Sequence, residues 1–210
     1  FWEKISGMNK KYIGMAFPSD GLNDSEYWKI LPKNFELLIS RYEVSGSLSS
    51  KILKKEANLN KISKSIDKLN IKKLNMIILC DFASTVLNND YISKSESYFT
   101  NKYNLPCINI VSPTINFIKK RTKGLSIISP YNKEVTTKFI NLLPKKNLIK
   151  SISNFSYKSE EEIDNNYSSL KSLKINKFRN DILFIGGGVS VSHFVRDYQK
   201  NMVIKYTHHH

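Results

Sequence analysis

From residue 12 to residue 206 the chain alternates short apolar runs with amphipathic stretches, and no hairpin turn joins one strand to the next, the Asp20-Gly21 turn leading into the helical stretch 23–31. That alternation restricts the fold sharply. Strands separated by helical crossovers run parallel and need helices over both faces of their sheet, which predicts an α/β architecture. The expected strands are residues 12–17, 35–41, 75–80, 107–111, 125–128, 148–153, 181–185 and 202–206, eight strands with seven crossovers. Residues 50–69 carry Leu53, Leu59, Ile62, Ile66 and Leu69 at spacings of three and four outside one gap, the stripe of a single amphipathic helix. Further helices are expected over 23–31, 91–103, 113–121 with Pro113 in the first turn, 130–143 and 192–200, and over a segment through residue 173 that opens with Ser159 and Glu162 as a capping box.

The most informative run is residues 75–85, NMIILCDFAST, where an unbroken apolar strand stops abruptly at polar and small residues. Residues 181–192, DILFIGGGVSVS, repeat the design with three glycines in place of Cys80, Asp81 and Phe82. Ligands of parallel sheets bind beyond the carboxyl ends of the strands. That rule nominates the loops at 18–21, 80–85, 129–134 and 186–192, with the last bringing Gly186, Gly187, Gly188 and Ser190 to the site. The glycines allow a small anion close to the backbone or make a tight turn. A dinucleotide fingerprint would also need glycine where Val191 stands, so no nucleotide cofactor is expected.

Composition removes several classes. The 210 residues are 40% hydrophobic, ordinary for a globular chain, and no window reaches the roughly 18 apolar residues of a membrane span. A cytoplasmic protein is expected. Residues 1–7 and 208–210 read as tag residues and take no part in site reasoning. The net charge of +15 invites nucleic acid, but the cations are overwhelmingly lysines spread over the helices, with arginine only at positions 41, 121, 179 and 196. Solvated helix faces account for them, and nucleic-acid binding is not expected. Outside the terminal residues the only histidine is His193, and neither Cys80 nor Cys107 falls in a metal-ligand spacing, so no metal is expected. Cys80 ends one strand while Cys107 begins the next, which separates them too far for a disulfide.

Cys80 and Asp81 are the adjacent proton-transfer or nucleophilic pair at a strand end. Cys80 reads as a small buried hydrophobe or as a working thiol. Asp81 reads as a carboxylate of raised pKa suited to proton transfer, or as the cap of a following helix, with Ser84 and Thr85 as hydroxyl donors or helix-start residues. His193 lies in or beside the last helix, where facing the cleft would make it an acid or base.

In their order along the chain, YIGMAFPSDGL, LPCINIVSPTINFIKK, GLSIISPYNKEV and DILFIGGGVS resemble the aspartate/glutamate racemase superfamily, in particular its arylmalonate decarboxylase and maleate isomerase branch. The resemblance implies two similar Rossmann-like or flavodoxin-like lobes with parallel sheets and a cleft between them, residues 8–112 plus 201–207 forming one and 113–200 the other. It implies a cofactor-independent isomerase or lyase acting on a small carboxylic acid by proton transfer, elimination or decarboxylation next to the carboxylate. Racemases of the family use one cysteine from each lobe. Here the first position falls on Asp81, or on Cys80 if the register slips by one, and the second on Gly187 or Gly186, so the two-thiol pair is not kept. The family's carboxylate-binding tyrosine falls on Tyr131, and its proline loop on Pro18, Ser19 and Asp20. A non-catalytic carboxylate-binding or regulatory member is the alternative. Relatives add a closing helix after the last strand; without it apolar sheet surface is exposed, and a homodimer is expected.

Overall fold

The computed structural model describes residues 10–19, 31–88, 90–159, 161–162 and 181–185. Its strands are β1 (Lys11–Pro18), β2 (Phe35–Tyr42), β3 (Leu74–Leu79), β4 (Cys107–Asn109), β5 (Leu125–Ser129), β6 (Ile149–Asn154) and β7 (Asp181–Phe184). Its helices are α1 (Ser50–Glu56), α2 (Leu59–Ile66), α3 (Phe82–Leu87), α4 (Tyr91–Tyr103), α5 (Val111–Lys119) and α6 (Lys133–Leu142). They build two parallel sheets, ordered β2-β1-β3-β4 and β6-β5-β7. The expected α/β class with two parallel sheets is therefore what the chain forms. The expected elements at 23–31, 163–173, 192–200 and 202–206 lie outside the described residues.

Three expected boundaries move, each for a local reason. The helix expected over 50–69 is two helices, broken at Ala57 and Asn58, where the Asn58 side chain accepts the N–H groups of Asn60 and Lys61 and starts α2 afresh. The break falls in the gap of the apolar stripe between Leu53 and Leu59. The strand expected to reach residue 111 stops at Asn109, because Asn109 turns its side-chain oxygen onto the Val111 N–H and opens α5. Residues 130–132 are not helical, since Asn132 caps α6 through the Val135 N–H at 3.0 Å.

The first sheet separates two cores. On one face Ala16, Tyr42, Ile77 and Leu79 pack with Ile62, Ile66 and Phe99 of α2 and α4; on the other lie Ile13, Met15, Phe17 and Leu37. Gly14 faces the first of these, where an added Cβ would come within 2.7 Å of the Leu74 side chain. In β3 the pairing with β1 shifts between Tyr12 and Ile13, so that Asn75 is the extra residue, and its side-chain oxygen accepts the Tyr12 N–H at 2.8 Å. From there Met76 and Ile78 face one core, Ile77 and Leu79 the other.

The third core joins the two sheets. Ala83, Val86 and Leu87 of α3 are buried with Leu125, Ile127, Tyr131, Val135, Phe139 and Ile185. Polar contacts reinforce it: Asn132 Nδ2 donates to the Leu48 carbonyl at 3.0 Å, the Leu48 N–H donates to the Lys158 carbonyl at 2.8 Å, and Lys54 pairs with Glu134 at 3.0 Å. Asn132 thus caps α6 and ties it to the α1 approach, whereas Asn58 serves only as a cap. Asn132→Ala is expected to lower unfolding free energy by about 1–3 kcal/mol and Asn58→Ala by about 1 kcal/mol, compared by urea denaturation. Equal losses would mean that the Leu48 contact contributes nothing.

Candidate active site

Alternation along β3 carries through its end, and it sends Cys80 and Asp81 to opposite faces of the sheet. Cys80 is half-buried and packs against the Ile13, Met15, Phe17 and Leu37 core, with its Sγ 3.8 Å from the Ile78 carbonyl. Asp81 is buried on the other face. There its Oδ1 accepts the Ser84 N–H at 3.0 Å, capping α3, and its Oδ2 accepts the Tyr42 hydroxyl at 3.1 Å. Both alternatives open for Asp81 from the sequence are present together, a helix cap and a carboxylate with a raised pKa.

Burial drives that shift. Withdrawal from water pushes the Asp81 carboxyl up to about 6; hydrogen bonds from Ser84, through side chain and backbone, and from Tyr42 pull it back, and the Glu56 carboxylate pushes it up again. Tyr42 responds in turn, its hydroxyl held well above the ordinary tyrosine value by burial and then by the Asp81 charge. Tyr91, at the start of α4, is shifted the same way for the same two reasons.

The neighbouring hydroxyls are less free than their sequence positions suggested. Thr85 is buried, its Oγ1 donating to the Asp81 carbonyl and accepting Asn109 Nδ2 at 2.9 Å. Ser84 is also buried, directed to Asp81. At the end of β1, the Pro18 carbonyl accepts an Arg41 guanidinium N–H at 3.1 Å, while Ser19 Oγ accepts the Val44 N–H at 3.2 Å and its own N–H donates to the Tyr42 carbonyl at 2.8 Å. Pro18, Ser19, Tyr42 and Asp81 therefore share the carboxyl edge of the first sheet.

The second sheet contributes Tyr131, which follows β5. Its buried ring stacks on Phe82 with centroids 5.8 Å apart and planes at 9°, and Phe82 also meets Phe139 at 5.0 Å. The loops after β3 and β5 are in this way brought together. Phe184 and Ile185, which immediately precede the glycines, pack into the same cluster as Phe82, Ala83 and Tyr131. Asp20, Gly186, Gly187, Gly188, Ser190 and His193 lie outside the described residues. Cys107 is buried and its thiol is pushed up to about 12, by burial first and the Glu96 carboxylate second. Among the described residues no group of three His, Cys, Asp or Glu side chains is placed to hold a metal ion, and no helix is long and apolar enough to cross a membrane.

Two parallel sheets whose loops meet at their carboxyl ends have counterparts of known structure. A maleate isomerase variant from Pseudomonas putida S16, solved with maleate, superposes with a TM-score of 0.64 at 13% identity, over 90% of this chain and 84% of that one. A Cys-to-Ser mutant of the Nocardia farcinica maleate cis-trans isomerase, carrying a covalently bound succinylcysteine intermediate, gives 0.66 at 10% identity over 92% and 85%. A liganded double mutant of arylmalonate decarboxylase gives 0.70 at 15% identity over 93% and 86%. The fold is the one that these enzymes share. No family model and no curated protein matches the sequence itself. At such identities the likeness is one of architecture.

Tyr42, Tyr91 and Glu56 are the neighbours of Asp81 that sequence reasoning missed. Tyr42 sits one residue past the expected end of β2, and a signal was present: period-two alternation puts it on the face of Ser40, whose hydroxyl meets Ser65 of α2. Tyr91 and Glu56 lie on helices, at the start of α4 and the end of α1, and carry no such signal.

The raised Asp81 pKa has a consequence for stability. A carboxyl that binds its proton more tightly folded than unfolded contributes stability fully below its unfolded pKa near 4, and the contribution is lost as pH rises through about 6. Between pH 4 and 7 the wild type is expected to lose up to about 3 kcal/mol relative to Asp81→Asn, measured as the difference in urea unfolding at each pH. A pH-independent difference would show that Asp81 titrates normally.

Proposed function

We propose that the chain is a cofactor-independent enzyme acting on a small carboxylic acid by proton transfer, elimination or decarboxylation at the carbon next to the carboxylate. The observation that carries this reading is a buried carboxylate of raised pKa at the carboxyl end of the central strand, in the fold shared by maleate isomerase and arylmalonate decarboxylase. A group with a pKa near 6 can both take and return a proton at neutral pH. In the forward direction the carbon–hydrogen bond breaks, its proton goes to Asp81, and the electron pair moves onto the substrate carboxylate as an enediolate. Tyr131, Ser19 and the N–H groups of Gly186, Gly187 and Gly188, with Ser190, form the cradle for that charge in this proposal. Ser84 and Thr85 act on the substrate through Asp81 and its loop. Asp81 is preferred to Cys80 because it shares its buried face with Tyr42, whereas the Cys80 thiol turns to the opposite core.

A non-catalytic carboxylate-binding member is the second reading, favoured by the engagement of both Asp81 oxygens within the protein. Proton exchange at the substrate carbon in deuterated water separates the two, since a binding module exchanges nothing.

With Asp81 as the acid/base, Asp81→Asn is expected to lower turnover roughly 10²-fold or more, while Cys80→Ala costs about 1 kcal/mol of stability and little rate. The inverse pattern, with substrate protecting the enzyme from an alkylating reagent, would transfer the role to Cys80. Tyr131→Phe is expected to weaken binding of a small acid by about 0.5–3 kcal/mol, measured by calorimetry.

A further inference from the structure

Tyr91 is 7% exposed, and its hydroxyl is buried without a hydrogen-bond partner among the described residues. That is costly for a group with one donor and two acceptor sites, and native chains retain such groups at strained or functional positions or where a water, ion or ligand completes them. Its surroundings narrow what would complete it. The hydroxyl lies within electrostatic reach of the Asp81 carboxylate and of Tyr42, but bonds to neither. Asp81 Oδ1 accepts the Ser84 N–H and Oδ2 the Tyr42 hydroxyl, which leaves a carboxylate about two further acceptor sites, one for a ligand hydroxyl and one for the proton it takes from carbon. Glu56 adds negative charge from the end of α1.

Completing this corner takes a group that accepts a hydrogen bond from Tyr91 and donates one to Asp81. A second carboxylate fails, since it donates nothing when ionised and is repelled by Asp81 and Glu56. An ammonium group donates to Asp81 but leaves the Tyr91 proton unpaired. A hydroxyl does both.

We propose that Tyr91 is a specificity-determining residue whose hydroxyl donates to a hydroxyl group of the ligand, that group donating in turn to Asp81, so that the substrate class is a hydroxy-substituted carboxylic acid. The inference rests on the proposed function, which places the ligand against Asp81; the carboxylate of the acid then lies away from the Asp81–Glu56 corner, toward Tyr131.

The test uses the full chain, wild type and Tyr91→Phe, with matched probes: malate against succinate, tartronate against malonate, and aspartate as the amino counterpart. The wild type is expected to bind the hydroxy acid of a pair roughly tenfold more tightly than its deoxy partner, as one added hydrogen-bonded group allows. Tyr91→Phe is expected to erase that preference while melting, without ligand, at the same temperature or higher, because the variant removes a buried hydroxyl that bonded nothing. A purely structural tyrosine would instead lower the melting temperature and leave the preference intact. Equal binding within each pair by the wild type, a preference kept in Tyr91→Phe, or tighter binding of aspartate than of malate would each overturn the inference and leave the small-acid reading standing. Failure of the wild type to bind any of the acids would overturn the small-acid reading and this inference with it.

Discussion

Asn75 is one residue more than the β1–β3 ladder needs, and the bond between its side chain and the Tyr12 N–H holds the excess in place. Everything beyond it on β3 inherits the resulting phase. Because side chains alternate strictly along a strand, that phase puts Asp81 under α2 and α4 beside Tyr42 and leaves Cys80 to the other core. A shift by one residue would exchange them, burying a thiol among the tyrosines and driving a carboxylate into the aliphatic cluster of Ile13, Met15, Phe17 and Leu37. The chemistry available at this strand end is therefore set some six residues upstream of it, by an asparagine that contacts neither group.

Asp81 sits between two demands. As a cap it satisfies the first turn of α3, and α3 is the helix that carries Ala83, Val86 and Leu87 into the core joining the two sheets. As a buried carboxylate it is held partly protonated near neutrality. The cap favours the ionised form and burial the neutral one, so the same residue links proton state to the footing of the helix beneath Phe82 and Tyr131. Tyr42 moderates the conflict from β2, and the Glu56 carboxylate sharpens it.

Much of this was legible in the chain. The strand and helix alternation gave the parallel sheets, because a 3.6-residue stripe and a short apolar run differ even in a lysine-rich sequence, and the position of Asp81 at a strand end placed it at the carboxyl edge of the first sheet, where it is buried beside Tyr42. What stayed hidden depended on side chains that bond to backbone. Asn58, Asn109 and Asn132 each begin a helix where apolar periodicity alone does not. Whether Cys80 or Asp81 faces the tyrosines could not be read from the sequence, since the bulge that decides it is a pairing event between strands more than fifty residues apart. The Phe82–Tyr131 stack was equally invisible, as it requires both sheets to be in place.

The contrast between the two thiols has a practical corollary. The chain holds two cysteines, and Cys107 is sealed within the first sheet with its pKa near 12. Thiolate is the reactive form, so at neutral pH a modifying reagent meets essentially one sulfur, that of half-buried Cys80. Its labelling rate is consequently a native optical gauge of how tightly the Phe17 face of the sheet is closed, available in the unaltered protein without removing any other cysteine.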